Sequence, residues 1–316
     1  MATEESFLQA IRDEPDDDEL RLVFADWLEE RGDPRGTLMR LQVTRSALAP
    51  VPDDALPAGQ QTSAGDLARI ELERQEKELL DRYGADVWLG PLLWRLRQWR
   101  FQRGLLHVEA DRSFLTGRLP SGGAVNWVER LTLWQLSVKH VGLLVNSGRL
   151  GALTMLDLHS LRLGDLGVAL LAGAASLAPL RWLDLSGNTI TNAGAAELAG
   201  SPHLTRLRAL HLSNNLIGPV GAQTLAGSPA LSCLKTLDLS YNRVGDRGVE
   251  ALAGSPYLAE LRALYLSGND IHSSGVIALT RSPYLTGLTT LHLSGNDLNE
   301  EIVRLLRDRF GPTVRS

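Results

Sequence analysis

Between Leu180 and Leu298 one phrase recurs, L-x-x-L-x-L-x-x-N-x-[IVL]-x-x-x-G-x-x-x-L-A-x-S-P-x-L, with starts at Leu180, Leu207, Leu234, Leu261 and, for its first half, Leu288. Each start lies 27 residues after the one before, and an asparagine column keeps step at Asn188, Asn215, Asn242, Asn269 and Asn296. A single such unit cannot stand alone. Its buried side chains bring about 1.5 to 3 kcal/mol each, whereas ordering the backbone costs about 1 to 2 kcal/mol per residue. Stacked units share one core, so the period implies a quasi-one-dimensional fold.

Within the phrase, the second and third leucines, such as Leu183 and Leu185, are two apart and face one side of a strand, while the residues between them face the other. The asparagine that follows can donate to and accept from the turn leaving the strand. The stretch from Gly194 to Ala199 has helical spacing, and Ser-Pro at 201, 228, 255 and 282 ends the helix. L-x-x-L-x-L-x-x-N at this period resembles leucine-rich repeats of the ribonuclease-inhibitor-like class. The resemblance implies an α/β solenoid with a curved parallel sheet and convex helices. Irregular strands near Leu106, Leu131 and Leu156 precede the regular ones, with Leu136 and Leu161 in place of asparagine. The asparagine ladder is thus expected to begin at Asn188. Asn242→Leu is expected to cost about 1 to 3 kcal/mol, and Asn296→Leu less, because no repeat lies beyond it. After Leu298, a charged helix is expected to replace the next strand as a cap.

Before the repeats, residues 4–31 read as two helices broken at Glu14-Pro15, and a third runs to about Leu48. Phe7-Leu8-Gln9-Ala10-Ile11, Asp16-Asp17-Asp18 and LVFADWLEERGDPRG at 22–36 resemble the small repeat-companion domain that opens many planctomycete-type bacterial proteins ahead of leucine-rich or WD repeats. That resemblance covers about the first 45 residues and implies architecture, not catalytic residues. The expected division is a small all-α module at 1–100, with a Pro- and Gly-rich linker at 49–64, and a solenoid at 101–316. Within the solenoid the repeats are irregular at 101–152 and regular at 153–298, and the cap is 299–316. The Trp88 to Gly104 passage reads as a hydrophobic joint between the two parts rather than a stacking surface for bases.

At 316 residues, with a net charge of -5, the chain lacks the basic stripe expected of a nucleic-acid binder. Its start has neither the basic nor the apolar region of a signal peptide, and no run of about 18 apolar residues suggests a membrane span. The single cysteine, Cys233, excludes internal disulfides. A cytoplasmic monomer is expected, with no nucleic-acid or membrane partner.

The exposed strand columns can be read directly. One holds Asp157, Asp184, His211, Asp238, Tyr265 and His292; a second includes Trp182; a third begins at His159 and continues as serines. With Trp134 and Tyr241, these columns nominate Trp134, Asp157, His159, Trp182, Asp184, His211, Asp238, Tyr241, Tyr265 and His292 as a partner-binding set on the concave face. The Asp184-His211-Asp238 row lacks a nucleophile and a closed ligand set. No catalytic, cofactor or metal residue is expected. The expected function is non-enzymatic binding of an unidentified protein. The alternative, regulation of a small GTPase, follows only from the occurrence of ribonuclease-inhibitor-like repeats in GTPase-activating proteins.

Overall fold

Side chains set the first helix starts. Thr3 and Ser6 form a reciprocal cap on α1 (Glu4–Asp13), and Asp17 accepts from Leu20 N at 3.0 Å to open α2 (Asp18–Glu29). Asp33 accepts from Arg35 N at 2.9 Å ahead of α3 (Pro34–Ala47), whose first-turn proline has no N–H to leave unpaired. The structure, a computed structural model, describes residues 2–48, 64–115, 123–147, 153–311 and 314–315. The expected linker therefore lies outside the described residues, apart from Ala64, which begins α4 (Ala64–Leu79). The chain forms two compact units, Met1–Arg130 and Leu131–Ser316, a division that falls later than the sequence boundary at residue 100.

The first unit is not all helical. After α4, a wide helical turn and a 3₁₀ turn lead into an antiparallel hairpin, β1 (Leu96–Gln102) with β2 (Leu105–Asp111). The strand expected near Leu106 thus pairs antiparallel with a strand that the periodicity did not announce. The cause is local. Arg103 and Gly104 both take positive φ, 48° and 83°, the backbone of a tight two-residue hairpin turn. Trp88 stacks on Tyr83 with centroids 5.7 Å apart and meets Phe101 edge-on at 5.4 Å, so it packs as expected, whereas Trp94 is 89% exposed. In the helical core, Phe24 stacks on Phe7 at 5.0 Å and on Trp127 at 5.4 Å. The Trp127 indole N–H donates to Glu4 Oε1 at 2.8 Å.

From β3 (Val128–Trp134), strands and helices alternate: α5 (Val138–Asn146), β4 (Met155–Asp157), α6 (Gly164–Ala172), β5 (Trp182–Asp184), α7 (Asn192–Ala199), β6 (Ala209–His211), α8 (Pro219–Ala226), β7 (Thr236–Asp238), α9 (Gly245–Ala253), β8 (Ala263–Tyr265), α10 (Ser273–Thr280) and β9 (Thr290–His292). Strands β4 to β9 pair in parallel, each with the next, in the register of the repeat: Leu156, Leu183, Leu210, Leu237, Leu264 and Leu291 lie side by side. All six are buried. Each crossover is a helix, as parallel pairing requires.

The far end departs from expectation. The charged helix forms, α11 (Glu300–Phe310), but the chain then returns as β10 (Val314–Arg315), parallel to β9. Leu293 N donates to Arg315 O at 2.7 Å. A strand therefore satisfies donors on the last repeat that a helix alone would leave open.

Three side-chain ladders join successive repeats. In the first, Asn215 Oδ1 accepts from Asn188 N at 2.9 Å and Ile190 N at 3.0 Å, while its Nδ2 donates to Leu185 O at 3.0 Å and Leu212 O at 2.9 Å. In the second, the serine before each proline reaches back to the end of the preceding helix: Ser201 Oγ donates to Ala172 O and Ser282 Oγ to Ala253 O, both at 2.6 Å. In the third, Asp165 Oδ1 accepts from Thr191 N at 2.8 Å and Gly194 N at 2.9 Å, and Asn192 Oδ1 from Gly218 N at 2.7 Å and Gly221 N at 3.0 Å. A side chain at the start of one helix thereby caps the next.

The asparagine ladder runs backwards along the chain, which changes what its ends should cost. Asn188 serves the repeat that lacks its own asparagine, with Oδ1 3.1 Å from both Leu161 N and Leu163 N. Asn296 is fully engaged, accepting from Asn269 N at 2.9 Å and Ile271 N at 3.1 Å and donating to Leu266 O and Leu293 O. The missing repeat beyond it is therefore no reason for a smaller loss. Its partial exposure is, because water can replace some of those bonds. Asn269→Leu, at a position with 0% exposure, should cost about 1 to 3 kcal/mol, and Asn296→Leu measurably less in urea unfolding. Equal losses would show that burial does not govern the ladder's contribution.

Candidate functional site

On each strand the leucines point inward and leave the intervening side chains half-exposed on the opposite face. Trp182, Asp184, His211, Asp238, Tyr265 and His292 all lie there. Register places Asp184 beside His211, His211 beside Asp238, Asp238 beside Tyr265 and Tyr265 beside His292. The expected row is therefore continuous over these strands. Asp157 does not belong to its exposed surface. It is 6% exposed, with Oδ1 2.7 Å from His159 Nδ1 and Oδ2 3.4 Å from Thr132 Oγ1. It sits behind His159 and orients that ring.

Three histidines each meet an aromatic ring on the preceding strand. Trp134 lies 5.4 Å from His159 and nearly perpendicular to it, Trp182 lies 5.3 Å from His211, and Tyr265 lies 4.7 Å from His292 at 73°. Such pairs fix both partners with little conformational freedom left to lose on binding.

His211 Nδ1 is 3.9 Å from Asp238 Oδ2, and Asp238 also accepts from Ser240 N at 2.8 Å. Burial works to raise the Asp238 carboxyl. The nearby His211 and the bonds from Ser240 outweigh it, and the group lies below its ordinary value. His292 is held below the usual histidine value by burial and by the charge of Arg315, against the pull of Asp238. It stays neutral to lower pH than a histidine in water. Among the described residues no group of three His, Cys, Asp or Glu side chains could hold a metal ion.

One titratable cluster escaped the sequence. His107, which stands alone in the chain, has Nε2 3.4 Å from Glu129 Oε2, and Arg21 Nη2 lies 3.7 Å from Glu129 Oε1. All three are buried. Burial raises the Glu129 carboxyl, but His107 and Arg21 override it and hold it below its ordinary value. These residues are far apart in sequence and no spacing announces them. Arg21 also donates to Arg103 O and Pro15 O, both at 3.0 Å, so the cluster ties α2 to the hairpin turn.

Tyr241 is the anomaly of the face. Gly187, Asn214, Gly268 and Gly295 occupy its position in the other asparagine-bearing repeats, and Gln135 and Ser160 in the two units before them; every one has positive φ, between 54° and 74°. Tyr241 takes the same conformation at 56°, which disfavours a bulky side chain. Its ring is 61% exposed and lies against Gly268, where a Cβ would come within 2.8 Å of Tyr241 Cδ1.

The segments 177–199, 202–226, 230–253, 260–279 and 285–306 match the Leucine Rich repeat family. These are leucine-rich repeats. The matched segments contain the strands β5 to β9 and all five ladder asparagines. No curated protein matches the chain. Among solved structures, the repeats are similar to an internalin (inlF) from Listeria monocytogenes str. 4b F2365, at 22% identity and a TM-score of 0.40, over 61% of this chain and 55% of that one. They are also similar to the LRR ectodomain of the Arabidopsis receptor kinase HAESA, solved with an N-terminal extended IDA peptide hormone ligand (20%, TM-score 0.36, 61% of this chain and 31% of that one). A third similar chain is TLR13, solved with ssRNA13 (17%, TM-score 0.25, 60% and 35%). The chain thus spans little more than half of the internalin and about a third of the other two.

Left-handed backbone costs an ordinary residue about 1 to 2 kcal/mol, so Tyr241→Asn, which copies Asn214, should raise the melting temperature slightly. A loss of stability above about 1 kcal/mol would show that packing, not function, retains the tyrosine.

Proposed function

We propose that the repeats bind a protein partner through their strand face, taken to be concave, and carry out no chemistry of their own. The observation that carries this reading is Tyr241: a large aromatic kept exposed, at conformational cost, where the neighbouring repeats use glycine or asparagine. Aromatic anchors contribute most to protein interfaces. Around it, Trp134, Trp182 and Tyr265 form the apolar part of the contact surface, while His159, Asp184, His211, Asp238 and His292 set its polarity. Asp157 acts from behind by orienting His159. The protein is taken to act as a cytoplasmic monomer, and among the described residues no helix is long and apolar enough to cross a membrane. Nothing on the strand face or in the matched segments favours the GTPase alternative.

Capture from native lysate followed by mass spectrometry supplies the partner, and paired substitution then tests the face. Trp182→Ala with Tyr265→Ala should leave the melting temperature within a few degrees of the parent and weaken binding at least tenfold, since anchors of this kind contribute about 2 kcal/mol or more each. A folded double variant that binds as well as the parent would move the contact to the N-terminal helices.

A further inference from the structure

Along the leading edge of the strand face runs a line of charge that the aromatic anchors do not use. One residue before β5, β6, β7 and β8 stand Arg181, Arg208, Lys235 and Arg262. Backbone bonds stack them: Arg208 N donates to Arg181 O at 2.7 Å, Lys235 N to Arg208 O at 2.7 Å and Arg262 N to Lys235 O at 2.8 Å. Four cations are thereby aligned over about 14 Å, one strand spacing apart. Like charges so placed on adjacent strands repel. The backbone there does not require a cation. Thr154 and Thr289 hold the same position at the two ends and make the same bonds, Arg181 N donating to Thr154 O and Thr289 N to Arg262 O, both at 2.8 Å.

Lys235 and Arg262 are both exposed, and neither forms an ion pair with a described residue. The Arg262 guanidinium lies over Gly287, where any Cβ would collide with it, so the next repeat leaves it room. Three residues further along the strands, about 10 Å away, Asp184 and Asp238 place charge of the opposite sign. Each carboxylate accepts from the serine two residues on, Ser186 N and Ser240 N, at 2.8 Å, which fixes it in place. A nucleic-acid backbone laid over the cations would bring phosphates against these carboxylates, whereas a protein surface can present both signs. On the reading that the strand face is the binding surface, we propose that its partner presents an acidic segment, with carboxylates running across the repeats along Arg181, Arg208, Lys235 and Arg262. Rim charges of this kind set the partner's orientation and its rate of encounter.

Fluorescein-labelled deca-glutamate, titrated into the full chain at low ionic strength and followed by anisotropy, tests the proposal. Saturable binding is expected. Lys235→Glu with Arg262→Glu should weaken it about tenfold, and Lys235→Thr with Arg262→Thr, which copies Thr154 and Thr289, about threefold. Both variants should melt within a few degrees of the parent, because both side chains are exposed. Arg247→Glu with Arg281→Glu, the same change of charge at exposed positions on α9 and at the end of α10, should leave binding nearly unchanged. A decathymidine oligonucleotide is expected to bind more weakly than deca-glutamate. Absent binding, binding that both edge variants leave intact, equal loss in the helix variant, or an oligonucleotide bound as tightly as deca-glutamate would each overturn it. These outcomes leave the strand face itself untouched, since Trp182→Ala with Tyr265→Ala tests that reading separately against the captured partner.

Discussion

A stack of short parallel strands has to turn sharply after each strand, and the turn places backbone amides in an interior without water. Ile190, Ile217, Val244 and Ile271 are all fully buried and lie outside any strand or helix. An unpaired buried N–H is among the costlier defects a fold can contain. In each case the donor is met by the asparagine of the following repeat, at 3.0 to 3.1 Å. Everything else follows from that bond. It fixes the distance between neighbouring units, and so the register of the strands and the positions of the side chains on the open face.

The period, the inward leucines and the asparagine column could all be read from the chain because each is a local rule repeated. What escaped was whatever acts between units or only once. The direction of the ladder depends on which neighbour the amide reaches, and the spacing is the same either way. The constant serine before each proline was visible as a helix stop, but its bond to the preceding helix was not. The Arg103-Gly104 turn was legible in principle, as a glycine between two strand-like runs, yet the aromatic residues around it drew it into a cap. β10 is two residues long, too short for any pattern, and the Arg21, Glu129 and His107 cluster joins elements with no shared spacing.

The candidate face was legible as columns but not as contacts. Alternation alone assigned Asp157 to the open side. Its burial comes from Thr132 and His159, which crowd the less regular end of the sheet. The pairing of each histidine with an aromatic ring required the sheet to exist first. Under the proposed function, Tyr241 marks the difference between a structural residue and a binding one. A scaffold under selection for packing alone would place glycine or asparagine there, as the other asparagine-bearing repeats do, and a retained cost points to a use elsewhere.

Native-state hydrogen exchange of the amides of Ile190, Ile217, Val244 and Ile271 tests the central claim most directly. Loop amides ordinarily exchange by local opening. If the asparagine ladder is what joins the repeats, these four should exchange only by global unfolding, as slowly as the amides of β5 to β8. Exchange at rates typical of surface loops would show that the strands and the leucine core hold the stack together without it.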